Sequence, residues 1–210
     1  MVAGDFLREG NRILTNYDYV DIAEGTGIQK FYIARPTGSY ILTSNQIYAS
    51  TIESTHTSAS TTLTKYATEN FDLSAFNLPQ TIKGTGIVEL GVYWISSSGA
   101  GSAAVKLIVN IIHYDGTTET IIGTCTPLDY AGDLGGETTY SATVDITKQH
   151  FKKGEILRVE VEYWLKAHDA NTKTISVGTD PQNRDGTNIT PSTTNAITKS
   201  AVYIPFNLDL

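Results

Sequence analysis

The stretch FKKGEILRVEVEYW, residues Phe151 to Trp164, reads as a turn followed by a strand. A strand projects successive side chains to opposite faces. Leu157, Val159, Val161, Tyr163 and Leu165 therefore share one face, and Ile156, Arg158, Glu160 and Glu162 share the other. The first face is oily and the second charged. Such a strand buries one side and wets the other, so it needs a second apolar layer to pack against.

The composition agrees. The chain has 210 residues, long enough to enclose a core without a cross-link. Charged residues make up 18%, below the usual quarter or so. Thr is abundant, and Tyr supplies 12 of the aromatic residues. Both suit pleated, half-exposed surfaces. Net charge is −7 and no Lys/Arg cluster exceeds the pair Lys152–Lys153, which argues against a general nucleic-acid binder or an anionic membrane surface. No apolar run approaches the roughly 18 residues of a membrane helix. The opening MVAGDFLREGNR has no apolar h-region, so no signal peptide is expected and synthesis is assigned to the cytoplasm. The single cysteine, Cys125 in IIGTCTPLD, reads as a small buried strand residue.

Strand signals recur along the chain. Residues 1–26 read as an extended N-terminal arm, and 27–210 as one domain. GIVELGVYWIS sets Val88, Leu90, Val92 and Trp94 against Glu89, Gly91 and Tyr93. AVKLIVNIIHYDG is apolar on both faces, which places it centrally, and Asp115–Gly116 predicts a hairpin turn into TIIGTCT. TTYSATVDITKQHF puts Tyr140, Ala142, Val144 and Ile146 on one face. The Thr/Ser-rich run 54–68 reads as an edge strand or surface loop, the first place to look for subunit contacts. A long polar loop spans about 178–196, and AVYIPFNLDL closes the chain as a strand. No helical periodicity is sustained. The expectation is an all-β fold, an antiparallel β-sandwich of jelly-roll type.

Reactive constellations are scarce. The histidines, His56, His113, His150 and His168, have no metal-ligand spacing among them. His113 stands near Asp115 and reads as a turn-lining residue rather than a base–carboxylate pair. Glu160 and Glu162 share a strand face at a spacing compatible with glycoside hydrolysis, but Arg158 beside them favours a solvated, internally paired strip. DPQNRDG offers Asp180, Asn183, Asp185 and Gly186, yet a calcium loop in that register begins on Pro181 and ends on Ser192. The sequon at Asn188 is followed by Pro191 and is discounted. Tyr93–Trp94 and Tyr163–Trp164 suggest a sugar-stacking platform, although adjacent strand residues point to opposite faces. No catalytic, cofactor-binding or metal residue is assigned, and no enzyme is expected.

Three stretches resemble virion proteins of tailed bacteriophages: VDIAEGTGIQKFYIARPTGSYILTSNQIYAS, FKKGEILRVEVEYW with TDPQNRDG, and AVYIPFNLDL. The resemblance covers much of the chain in scattered form. It implies a jelly-roll-like subunit of the virion, a capsid decoration or head or tail accessory protein, with no catalytic residues. Its partners would be major capsid or head and tail proteins and copies of itself, as a homo-oligomer such as a trimer. The alternative is a carbohydrate-binding β-sandwich that recognises a receptor or surface glycan.

Overall fold

The computed structural model describes residues 26–96, 103–132, 135–168, 171–183 and 198–207. Eleven strands were found: β1 (Thr26–Ala34), β2 (Ile41–Thr43), β3 (Glu53–Ser58), β4 (Thr64–Asp72), β5 (Gln80–Ser96), β6 (Ala104–Tyr114), β7 (Glu119–Ala131), β8 (Gly136–Phe151), β9 (Ile156–Lys166), β10 (Lys173–Gly178) and β11 (Ala201–Asn207). No helix occurs among the described residues. The strands form one continuous sheet in the order β3-β10-β5-β11-β1-β2-β4-β9-β6-β7, and β8 pairs with the free side of β5. The sheet folds over on itself. β8, β5, β11, β1, β10 and β3 make one layer, and β4, β9, β6 and β7 make the other, as the packing of β3 and β10 on β9 shows. The result is the expected all-β, jelly-roll-like sandwich.

β9 supplies the clearest physical reason for this closure. Its burial alternates without a break, and Leu157, Val159, Val161, Tyr163 and Leu165 are all fully buried. On β6, which pairs with it, Val105, Leu107, Val109 and Ile111 continue the same inner face. Val88, Leu90, Val92 and Trp94 of β5 close the core from the facing layer. Central placement of β6 follows from its apolar outer residues too: Ile112 and Asn110 are both buried there. At about 25 cal/mol per Å² of apolar surface, a core of this kind needs no disulfide.

The turns follow local chemistry. Asp115 Oδ1 accepts hydrogen bonds from the backbone N–H groups of Thr117 (2.8 Å) and Thr118 (2.7 Å), and Gly116 takes the left-handed φ of 97° that the β6–β7 turn requires. Gly154, at φ 93°, serves the β8–β9 turn in the same way.

Two details depart from the sequence reading. The pairing is not wholly antiparallel: short β2 runs antiparallel to β1 but parallel to β4, through Ile41 and Asp72, and so carries the sheet round its corner. The run 54–68 is also not one edge element. β3 is an edge strand of one layer, whereas β4 sits inside the other between β2 and β9. Its exposed residues Thr64 to Tyr66 misled the reading, because burial begins only at Glu69 and Phe71. The expected N-terminal arm lies outside the described residues except for Thr26, as does 184–196 of the polar loop.

Candidate functional site

The most concentrated buried polar chemistry lies at the open edge between the layers. In TKYATENFD, the β4 alternation puts Glu69 on the inner face with Phe71. Across the gap, β3 turns Ser54 and His56 inward. Glu69 is almost fully buried, and both carboxylate oxygens are engaged. Tyr163 donates its hydroxyl to Oε2 at 2.8 Å, His56 Nε2 lies 3.2 Å from Oε1, and Arg35 Nη1 lies 4.0 Å from Oε1. Arg35 also donates to Ser54 Oγ at 2.9 Å and stacks on the Tyr40 ring at 4.5 Å. The His56 and Tyr163 rings touch, with centroids 4.3 Å apart.

The electrostatics follow from this packing. Burial pushes the Glu69 carboxyl up, but hydrogen bonds from His56, Ser54 and Tyr163 and the adjacent His56 charge outweigh it and hold the pKa below its ordinary value. Burial and the neighbouring carboxylate push the Tyr163 phenol well above its own. The cluster is therefore a carboxylate clamp joining the end of β1 to β3, β4 and β9. It reaches solvent only at the partly exposed His56 and Arg35 side chains. The sequence reading missed it. The available signal was the alternation that makes Glu69 a face-mate of Phe71.

Glu53, at the start of β3, is a second unusual acid. Its Oε2 is buried and has no hydrogen-bond partner. Burial raises its pKa to about 7, against a weaker lowering by Thr55. A folded pKa above the ordinary 4.5 means that the folded chain takes up a proton which the unfolded chain releases. Stability therefore falls as pH rises from about 4.5 to about 7 and is level above that. Glu53→Gln is expected to raise stability at pH 8 by about 1 kcal/mol, a value discounted for the half-exposed side chain, and to change nothing at pH 4. Urea denaturation at the two pH values measures this, and equal effects at both would refute it.

The residues singled out from sequence fall as follows. His113 pairs with Glu155 (Nε2–Oε2, 2.7 Å), not with Asp115, which caps its own turn. The strip on β9 is paired internally. Arg158 holds Asp72 through Nε and Nη2 (2.6 and 2.8 Å), bonds Glu119 and covers the Tyr114 ring. Glu160 accepts from Asn110 (2.7 Å), while Glu162 accepts from Lys65 (3.1 Å) and from Trp164 Nε1 (2.8 Å). Both glutamates are thus engaged in the internal pairing of the strip. The aromatic platform does not form: Trp94 and Tyr163 point into the core and Tyr93 is buried as well, so three of its four members are lost. Cys125 is buried on β7 as expected, with its thiol pushed up to about 11 by burial. Asp180 and Asn183 meet in a tight turn, and Asp185, Gly186 and Asn188 lie outside the described residues. Among the described residues, no three His, Cys, Asp or Glu side chains are grouped to hold a metal ion. No described helix is long and apolar enough to cross a membrane.

No protein-family model and no curated protein matches the chain. Similar folds do occur among solved structures. An alpha-amino acid ester hydrolase aligns with a TM-score of 0.57 at 12% identity, over 85% of this chain and 36% of that one. An aminopeptidase from a marine sediment archaeon of the Thaumarchaeota aligns with a TM-score of 0.55 at 11% identity, over 86% and 37% respectively. At such identity the likeness is one of fold, and this chain spans little more than a third of those hydrolases. The structure of infectious bursal disease virus aligns at a TM-score of only 0.25 and 10% identity, over 84% of this chain and 42% of that one, which carries no argument. The hydrolases correct one expectation. The expectation that the chain is no enzyme rested on the absence of a catalytic constellation in the sequence, and it falls because hydrolases share this fold.

Proposed function

We propose that the chain is a structural subunit of a virion that assembles with copies of itself through the outer face of its β1–β11–β5 layer. The observation that carries this reading is the pair of exposed isoleucines on that face, one on each side of β11. Ile28 and Ile87 are each 38% exposed. Strand register sets Ile28 beside Pro205 and Ile87 beside Tyr203, with Lys30 next to Tyr203 on the other side. Lys30 donates to the Tyr203 hydroxyl at 2.7 Å, and Tyr203 donates to Glu89 at 2.9 Å. A sheet surface with aliphatic residues beside a neutralised polar row suits a self-complementary contact. The resemblance of its sequence to phage virion proteins points the same way.

Light scattering on the purified chain tests the contact. An oligomer is expected for the wild type, and Ile28→Glu with Ile87→Glu is expected to shift it to monomer without lowering its melting temperature, because both side chains are exposed. A monomeric wild type would sink the self-assembly reading, and absence of the chain from purified particles by mass spectrometry would sink the virion reading. The fold shared with hydrolases favours a second reading, a β-sandwich module working within a hydrolase assembly. Turnover of an α-amino acid ester by the chain and whatever co-purifies with it would favour that reading over the first.

A further inference from the structure

We infer that the groove at one end of the sandwich, between β1–β2 and the segment after β4, binds a neutral saccharide. This site is separate from the assembly face and does not depend on it. The groove is open and holds about 390 Å³, within the usual range for small-ligand sites. None of its lining residues carries a charge, although 18% of the chain does. Its aromatic surface is the partly exposed Phe76 ring, backed by the buried rings of Phe206 and Phe31, with the Phe76 and Phe206 centroids 6.3 Å apart. Its rim carries the amides of Gln29, Asn45 and Asn77 and the hydroxyl of Ser44. None of these four side chains hydrogen-bonds another described residue.

The walls are held in place before any ligand arrives. The Phe76 backbone is tied at both ends, its N–H donating to Glu155 O (3.0 Å) and its carbonyl accepting from Gly154 N–H (2.8 Å). On the opposite wall, Asn45 N–H donates to Thr43 Oγ1 at 3.1 Å, and Ile47 N–H donates to Asn45 O at 3.0 Å. A preformed site spends little entropy on ordering.

The ligand class follows from this lining. An anion would call for a cationic partner, and a cation for a carboxylate or an aromatic cage. A purely apolar ligand would strip water from the rim amides without replacing its hydrogen bonds. A neutral sugar meets every condition. Its hydroxyls both donate and accept, as the amides do, and its C–H face lies on an aromatic ring.

A glycan array bearing neutral oligosaccharides and their sialylated counterparts tests the inference, with calorimetric titration of any neutral glycan retained. Binding of at least one neutral glycan is expected at about 0.1–1 mM. Asn45→Ala with Asn77→Ala is expected to weaken it about 10-fold or more, and both positions are exposed, so the fold is kept. Trp164→Ala, at the remnant of the aromatic platform, is expected to leave binding unchanged. No retention of any neutral glycan, retention only of sialylated ones, or binding intact in the double variant overturns the inference. Light scattering on that double variant keeps this outcome distinct from failure of the assembly reading.

Discussion

Glu69→Ala is expected to destabilise the fold by about 3 kcal/mol, because it removes the carboxylate that accepts from the buried Tyr163 hydroxyl and opens a cavity beside it. Tyr163 has no solvent-accessible surface, so water cannot take over that bond without entering the sandwich. Arg35 and His56 also lose their counter-charge, but each is partly exposed and rehydrates at smaller cost. In a Tyr163→Phe background, where the hydroxyl is already gone, the same replacement is expected to cost at least about 1 kcal/mol less. Urea denaturation of the four proteins of this cycle gives the answer, and a single-variant loss under about 1 kcal/mol would show that the clamp holds little. Acid adds an independent reading. The folded pKa of Glu69 lies below its ordinary 4.5, so its contribution is complete above that pH and is lost as pH falls through the folded value. The wild type is therefore expected to lose more stability below pH 4.5 than Glu69→Ala does.

The second large effect is expected at Gly178, where β10 ends. A Cβ there would lie 2.3 Å from the Thr198 carbonyl oxygen and 2.4 Å from its carbon. Both are backbone atoms, and that backbone is pinned. Asp180 N–H donates to Thr198 O at 3.0 Å, Thr198 N–H donates to Asn183 Oδ1 at 3.1 Å, and two residues on Ser200 accepts from Gly91 N–H and Ile33 N–H. Gly178→Ala must therefore push the 198–200 segment off the layer, at an expected cost of about 2–3 kcal/mol. Gly116→Ala provides the contrast. Nothing lies within 4 Å of its would-be Cβ, so only the φ of 97° is penalised, by about 1–2 kcal/mol. Thermal melts of the two variants rank them, and Gly116→Ala melting below Gly178→Ala would mean that Thr198 yields easily. A preserved melting temperature in Gly178→Ala would mean the same.

What the sequence determined by itself is local. Period-two alternation in β9 fixes which five side chains are buried, and Asp115–Gly116 and Gly154 fix two turns, because each depends on residues only a few positions apart. The same alternation separated Trp94 from Tyr93 and so spoke against the aromatic platform before its burial was known. Apart from the β6–β7 hairpin, the tertiary structure alone decided which strands became neighbours. His56 and Glu69 stand 13 residues apart on strands that never pair, and they meet only because the sheet turns its corner through the parallel β2–β4 contact. Glu53 and Gly178 likewise meet across 125 positions of chain. Alternation says which face of a strand is inside but not what lies opposite. That choice belongs to the closure of the whole sandwich, in which each long-range pairing must repay its own loop entropy. The carboxylate clamp and the neutral groove are products of that closure, so no window of sequence contains either one.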